Sequence, residues 1–132
     1  PENAKDKRSS HALKIEGVKG LKIRDLTVRW SEDEVEEKWK SALVLKNVSD
    51  FVVDSFSGRQ GIKDDAAPAV LLDNASDGII RDSRAVANTN TFIHVQGSGS
   101  KEIVLRDNHV KYAKKDITFA DRSLSKAVVK ET

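Results

Sequence analysis

Apolar residues recur at every second position in short bursts along this chain, and the bursts themselves repeat. Ala12-Leu13-Lys14-Ile15-Glu16-Gly17-Val18 aligns with Ala42-Leu43-Val44-Leu45-Lys46-Asn47-Val48 and with Ala69-Val70-Leu71-Leu72-Asp73-Asn74-Ala75. Phe92-Ile93-His94-Val95-Gln96-Gly97 is a fourth copy, and Asp116-Ile117-Thr118-Phe119-Ala120-Asp121 is a weaker fifth. A period of two means a strand with one buried face. One inward column reads Leu13, Leu43, Val70, Ile93 and Ile117; the next reads Ile15, Leu45, Leu72, Val95 and Phe119. A second strand follows in each copy. Its inward column is Ile23, Val53, Ile80, Leu105 and Val129, beside a polar column of Asp25, Ser55, Asp82, Asp107 and Glu131 that reads as a solvated outer face.

The link between the two strands carries Gly17, Asn47, Asn74, Gly97 and Asp121 at one equivalent position. Gly tolerates the left-handed backbone region, and Asn and Asp visit it more readily than other residues. Five such residues in register predict one tight bend repeated on every coil, with stacked side chains hydrogen-bonding along it as a ladder. The copies are 30 residues apart from Leu13 to Leu43, then 27 to Val70, 23 to Ile93 and 24 to Ile117. The variation falls in one connection: residues 31–40, 61–67, 87–90 and 112–115. All lie at one corner of the coil, and insertions on one face of a repeat protein often make its binding face. A sandwich gives no reason for identity down a column, and the consensus of a leucine-rich repeat is missing. The predicted fold is therefore all-β: a right-handed parallel β-helix (solenoid) of about five coils with two bends per turn. Residues 1–132 form a single segment and residues 1–11 a polar leader.

Composition refines this picture in three places. Aromatic residues are 5%, so the core must be built from Val, Ile, Leu and Ala. The 23 Lys and Arg against 21 Asp and Glu leave a net charge of +2, which argues against nucleic acid as a partner. No apolar run approaches the roughly 20 residues of a membrane span, so no membrane partner is expected. Cysteine is absent, which removes disulfides and thiol chemistry. No metal-ligand or cofactor pattern is present. The chain begins at Pro1 and contains no Met, which reads as a processed, excised or engineered piece.

Several segments resemble the polygalacturonase (pectinase) type of glycoside hydrolase, in its bacterial branch. They are the stretch from Trp39 to Leu43, Asp54-Ser55-Phe56-Ser57-Gly58-Arg59-Gln60, Ala67-Pro68-Ala69-Val70-Leu71-Leu72 and Asn90-Thr91-Phe92-Ile93-His94-Val95. The resemblance covers most of residues 12–110 and rests on coil-forming segments. That family uses aspartates on adjacent coils with Gly-His-Gly and Arg-Ile-Lys segments nearby, and none of these is present. No catalytic residue carries over. The resemblance implies the C-terminal coils of such an enzyme, and a secreted or periplasmic location.

Candidate chemistry follows from residue types on the variable wall. Glycoside hydrolysis needs two carboxyl groups roughly 5–9.5 Å apart. Asp64 and Asp65 are the adjacent pair, with a solvated loop as the ordinary reading. Arg59, Lys63 and Arg84 are candidates to bind a uronic-acid carboxylate, Arg by a bidentate contact; the ordinary reading of each is an exposed coil-edge charge. Trp30 and Trp39 flank an acidic loop. Trp39 is a candidate sugar platform, with packing onto the coil edge as the preferred reading. The leading function is the C-terminal portion of a pectin-type glycoside hydrolase, supporting or extending a carbohydrate-binding cleft. The alternative is a non-catalytic carbohydrate-binding or structural module, and the third reading a polysaccharide lyase fragment. The expected partners are a polysaccharide or oligosaccharide. A preceding β-helix domain, a second chain or another copy is expected to cover the N-terminal coil, because an outermost coil leaves unpaired strand edges.

Overall fold

The computed structural model describes residues 11–131. In chain order the strands are β1 (Leu13–Glu16), β2 (Lys19–Arg24), β3 (Leu43–Lys46), β4 (Ser49–Asp54), β5 (Ser57–Gly58) and β6 (Pro68–Asp73). They continue with β7 (Ser76–Arg81), β8 (Arg84–Ala85), β9 (Thr89–Gln96), β10 (Lys101–Arg106), β11 (Ala113–Phe119) and β12 (Val128–Glu131), and a 3-10 helix spans Arg122–Ala127. They form parallel sheets stacked as a β-solenoid of about four turns. One sheet runs β1-β3-β6-β9-β11, a second β2-β4-β7-β10-β12, and a third is the pair β5-β8. Residues 1–10, which hold nearly all of the polar leader, lie outside the described residues. The last leader residue, His11, belongs to the first coil: its Nδ1 accepts from the Ser41 N–H at 3.1 Å.

The columns of the first sheet pair as the sequence pattern requires. Leu13 faces Leu43, which faces Val70, then Ile93, then Ile117, and the column from Ile15 to Phe119 runs in the same register. Each coil thus sets apolar side chains on those of the coil before. Leu43, Leu45, Val53, Val70, Leu72, Ile80, Val95 and Ile103 are completely shielded from solvent. Such burial, at about 25 cal/mol per Å² of apolar surface, is the main force holding the stack.

The fifth copy departs from expectation, and the count is about four turns rather than five. It adds β11 and β12, but the 3-10 helix replaces the bend between them. Asp121 is extended at φ −136 and caps that helix by accepting from the Ser123 N–H, so it does not continue the left-handed bend. The helix delivers β12 one residue out of the expected register. Val129 faces Val104 and is 55% exposed, while Lys130 faces Leu105. Val128 faces Ile103 and packs on the core in Val129's stead. A one-residue slip sends every side chain to the opposite face. Glu131 accordingly pairs with Arg106, at 2.6 Å, rather than continuing the Asp107 column.

Left-handed residues recur at more places than expected. Gly17, Asn47, Asn74 and Gly97 have φ of 72, 53, 52 and 87 and form the predicted bend. The column read as a solvated face is a second bend: Asp25, Ser55, Asp82 and Asp107 have φ of 57, 59, 49 and 53. A third set, Gly20, Asp50, Asp77 and Glu102, has φ of 80, 54, 54 and 53 and is skipped in the pairing of the second sheet. These last residues are left-handed kinks at matched positions of successive coils, so the register is kept on both sides of them.

The side-chain bond at the first bend also differs from a like-on-like ladder. Asn74 Oδ1 accepts from the Gly99 N–H of the next coil at 2.9 Å. Asn74→Ala is expected to cost about 1–3 kcal/mol, from left-handed backbone strain plus the lost acceptor. Asn74→Gly should cost less, because it keeps the backbone freedom. Urea melts of the two variants check the order, and a glycine variant weaker than the alanine one contradicts it.

Candidate functional site

The third sheet is what places a site on this solenoid. Thr27 bridges Ser57 ahead of it and Arg84 bridges His109 beyond it, so Thr27, Ser57, Arg84 and His109 form one column along the stack. Arg59 follows β5 directly. Its carbonyl accepts from Trp30 Nε1 at 2.9 Å, and Trp30 packs on Trp39 with ring centroids 5.1 Å apart at 40°. The chain then passes tightly over the indoles. A Cβ at Gly61 would lie 2.4 Å from Trp39 Cβ, so only glycine fits there. Gln60, fully buried, pins three segments together. Its amide donates to the Ile62 and Asn88 carbonyls at 3.0 and 2.8 Å, and its Oε1 accepts from the Asn90 N–H at 3.1 Å.

Arg59 is not the exposed edge charge expected of it: it is 8% exposed. Nη1 donates to the Gln60 and Gly61 carbonyls at 2.8 and 3.0 Å. Among the described residues no carboxylate lies within 4.0 Å of the guanidinium. Burial lowers its pKa, and the Glu32 charge partly offsets this. A guanidinium nevertheless stays charged in proteins. Arg59 is thus a cation taken largely out of water, held by neutral carbonyls and short of a counter-ion.

It faces two adjoining grooves. The larger, of about 450 Å³, is lined by Arg29, Trp30, Glu32, Ser57, Arg59 and Arg84 among others. The smaller, of about 250 Å³, is lined by Glu32, Val35, Arg59, Ile62 and Lys63 with Gly61. Arg59 and Arg84 therefore meet in one groove, and Lys63 joins Arg59 in the other. Lys63 Nζ is 3.3 Å from Glu32 Oε1.

The remaining sequence candidates fall elsewhere. Asp64, left-handed at φ 60, is paired with Lys114 at 3.4 Å. The Asp65 carbonyl receives the Asn90 side-chain amide at 3.1 Å. Neither aspartate lines either groove. Trp39 is 2% exposed, so it packs beneath the site and offers no face to a sugar. The connections that were to form the wall also thin along the stack, because Asn90 lies in β9 and Lys114 and Lys115 in β11. Sequence reasoning missed Arg29, Glu32 and Gln60. Gln60 ends the segment carrying the family resemblance, but nothing in its spacing announced a buried clamp.

Among the described residues Glu32 is the sole carboxylate lining these two grooves. Hydrolysis of a glycosidic bond takes two. What the arrangement supplies is a basic trough with hydroxyl groups and a fixed, under-neutralised guanidinium: the means to hold an anionic ligand. A further cavity of about 220 Å³ lies elsewhere, where Phe92, Leu105 and Val110 meet the Asp116–Lys130 ion pair at the last coil. No family model, curated protein or solved structure matches the chain.

Proposed function

We propose that this chain is the carbohydrate-binding portion of a β-solenoid acting on acidic, pectin-type polysaccharide, and that the basic groove holds the uronate carboxylates. The observation that carries this reading is Arg59. A largely buried guanidinium with no carboxylate in direct contact is costly, and an incoming carboxylate supplies a close partner. Arg29 and Arg84 line the same groove and extend the positive charge beyond it. A non-catalytic role within this portion fits the lone Glu32 better than hydrolysis or elimination does.

The test is calorimetric titration of the 132-residue chain with trigalacturonate and with a neutral trisaccharide. The acidic sugar should bind, and its affinity should fall as salt rises, because screening weakens partly exposed charge pairs. The neutral sugar should not bind measurably, and polygalacturonate should not be cleaved. Equal binding of both sugars, or of neither, overturns the reading.

A further inference from the structure

We propose that Glu32 is a built-in competing carboxylate, a gate on the basic groove that an acidic ligand must displace. This rests on the acidic-ligand reading above. Among the described residues the two grooves have just two in common, Glu32 and Arg59. Arg29 and Arg84 lie on one side of that septum and Lys63 on the other. The two shared residues are held very differently. Arg59 is buried and tied to two carbonyls, whereas the Glu32 and Lys63 side chains are 68% and 52% exposed in their ion pair.

An exposed pair of this kind contributes little, since water and salt screen it and two long side chains must be ordered. Its strength is comparable with what one well-placed ligand carboxylate gains, so a ligand can exchange with it. Rotation of Glu32 about its own side chain takes its carboxylate out of that septum without a backbone movement, and leaves Arg59 between the grooves. The freed Lys63 then faces the same trough as Arg29, Arg59 and Arg84. A neutral sugar brings nothing to replace the Glu32 charge and leaves the gate closed. An oligosaccharide with one carboxylate per residue can satisfy Arg59 and Lys63 together. Glu32 thus sets selectivity for polyanionic over singly charged or neutral ligands.

The experiment compares the 132-residue chain with Glu32→Gln, using trigalacturonate, galacturonate monomer and a neutral trisaccharide as probes. Asp33→Asn, next to it on the same exposed loop, makes the same change in net charge and serves as control. Glu32→Gln should tighten trigalacturonate binding by roughly two- to fivefold, the reach of one exposed ion pair. Asp33→Asn should not tighten it, and neutral sugar should stay unbound. The monomer should gain by a larger factor than the trimer on Glu32→Gln, so that the preference for the trimer narrows. If the wild type binds trigalacturonate and Glu32→Gln binds it equally or more weakly, the gate is wrong and the acidic-ligand reading stands. An equal gain from Asp33→Asn assigns the effect to net charge and likewise overturns the gate. If neither wild type nor Glu32→Gln binds, both proposals fall.

Discussion

Phe51→Ala is expected to destabilise the solenoid by about 3–5 kcal/mol, the usual cost of removing a buried phenylalanine. The reason lies in the column Leu21, Phe51, Gly78, Ile103 and Val128, where three apolar residues of ordinary size surround one large residue and one glycine. The Phe51 ring occupies the space that a side chain at position 78 would take: a Cβ there would lie 2.1 Å from its ring carbons. One coil is overfilled and the next underfilled, and the two compensate. Gly78→Ala alone should therefore cost about 1–3 kcal/mol through overpacking. The double variant Phe51→Ala with Gly78→Ala should cost clearly less than the two single changes combined, because the new methyl group enters the space the ring vacates. Denaturant melts of all four proteins measure this coupling. Strict additivity would show that the two side chains do not share one volume.

Arg59→Gln should lower the affinity for trigalacturonate by roughly 10- to 100-fold, the scale of hydrogen bonds to a charged group. Arg84→Ser should have a smaller effect, since Arg84 is exposed and its guanidinium is well hydrated before any ligand arrives. Arg59→Lys keeps the charge but loses the planar fork, and should recover only part of the affinity. Circular dichroism and the urea midpoint establish that each variant is folded before binding is compared. A folded Arg59→Gln protein that binds like the wild type removes the observation on which the functional reading stands.

Hydrophobic periodicity alone determined the solenoid and most of its registers. In a parallel stack like sits on like, so the columns from Leu13 to Ile117 and from Ile15 to Phe119 could be read off and pair as read. The first bend was legible through Asn47 and Asn74 for the same reason. The second bend was present in the sequence as Asp25, Ser55, Asp82 and Asp107, but aspartate serves equally on a solvated face, and residue type alone does not separate the two. The end of the stack went wrong at β12, because the 3-10 helix takes up a different length of chain from the bend it replaces.

The site depended on tertiary structure to a greater degree. The strands of the third sheet are two residues long, too short to show any period, yet they position the groove. Arg59 is held through its carbonyl by Trp30, 29 residues earlier, which in turn packs on Trp39, and no local pattern encodes such contacts. Lys114 pairs with Asp64 from 50 residues away, outside both grooves, and Trp39 packs against Trp30 beneath them. Local alternation sets which face of a strand is buried; which charges end up desolvated and facing one another is decided only when the coils stack.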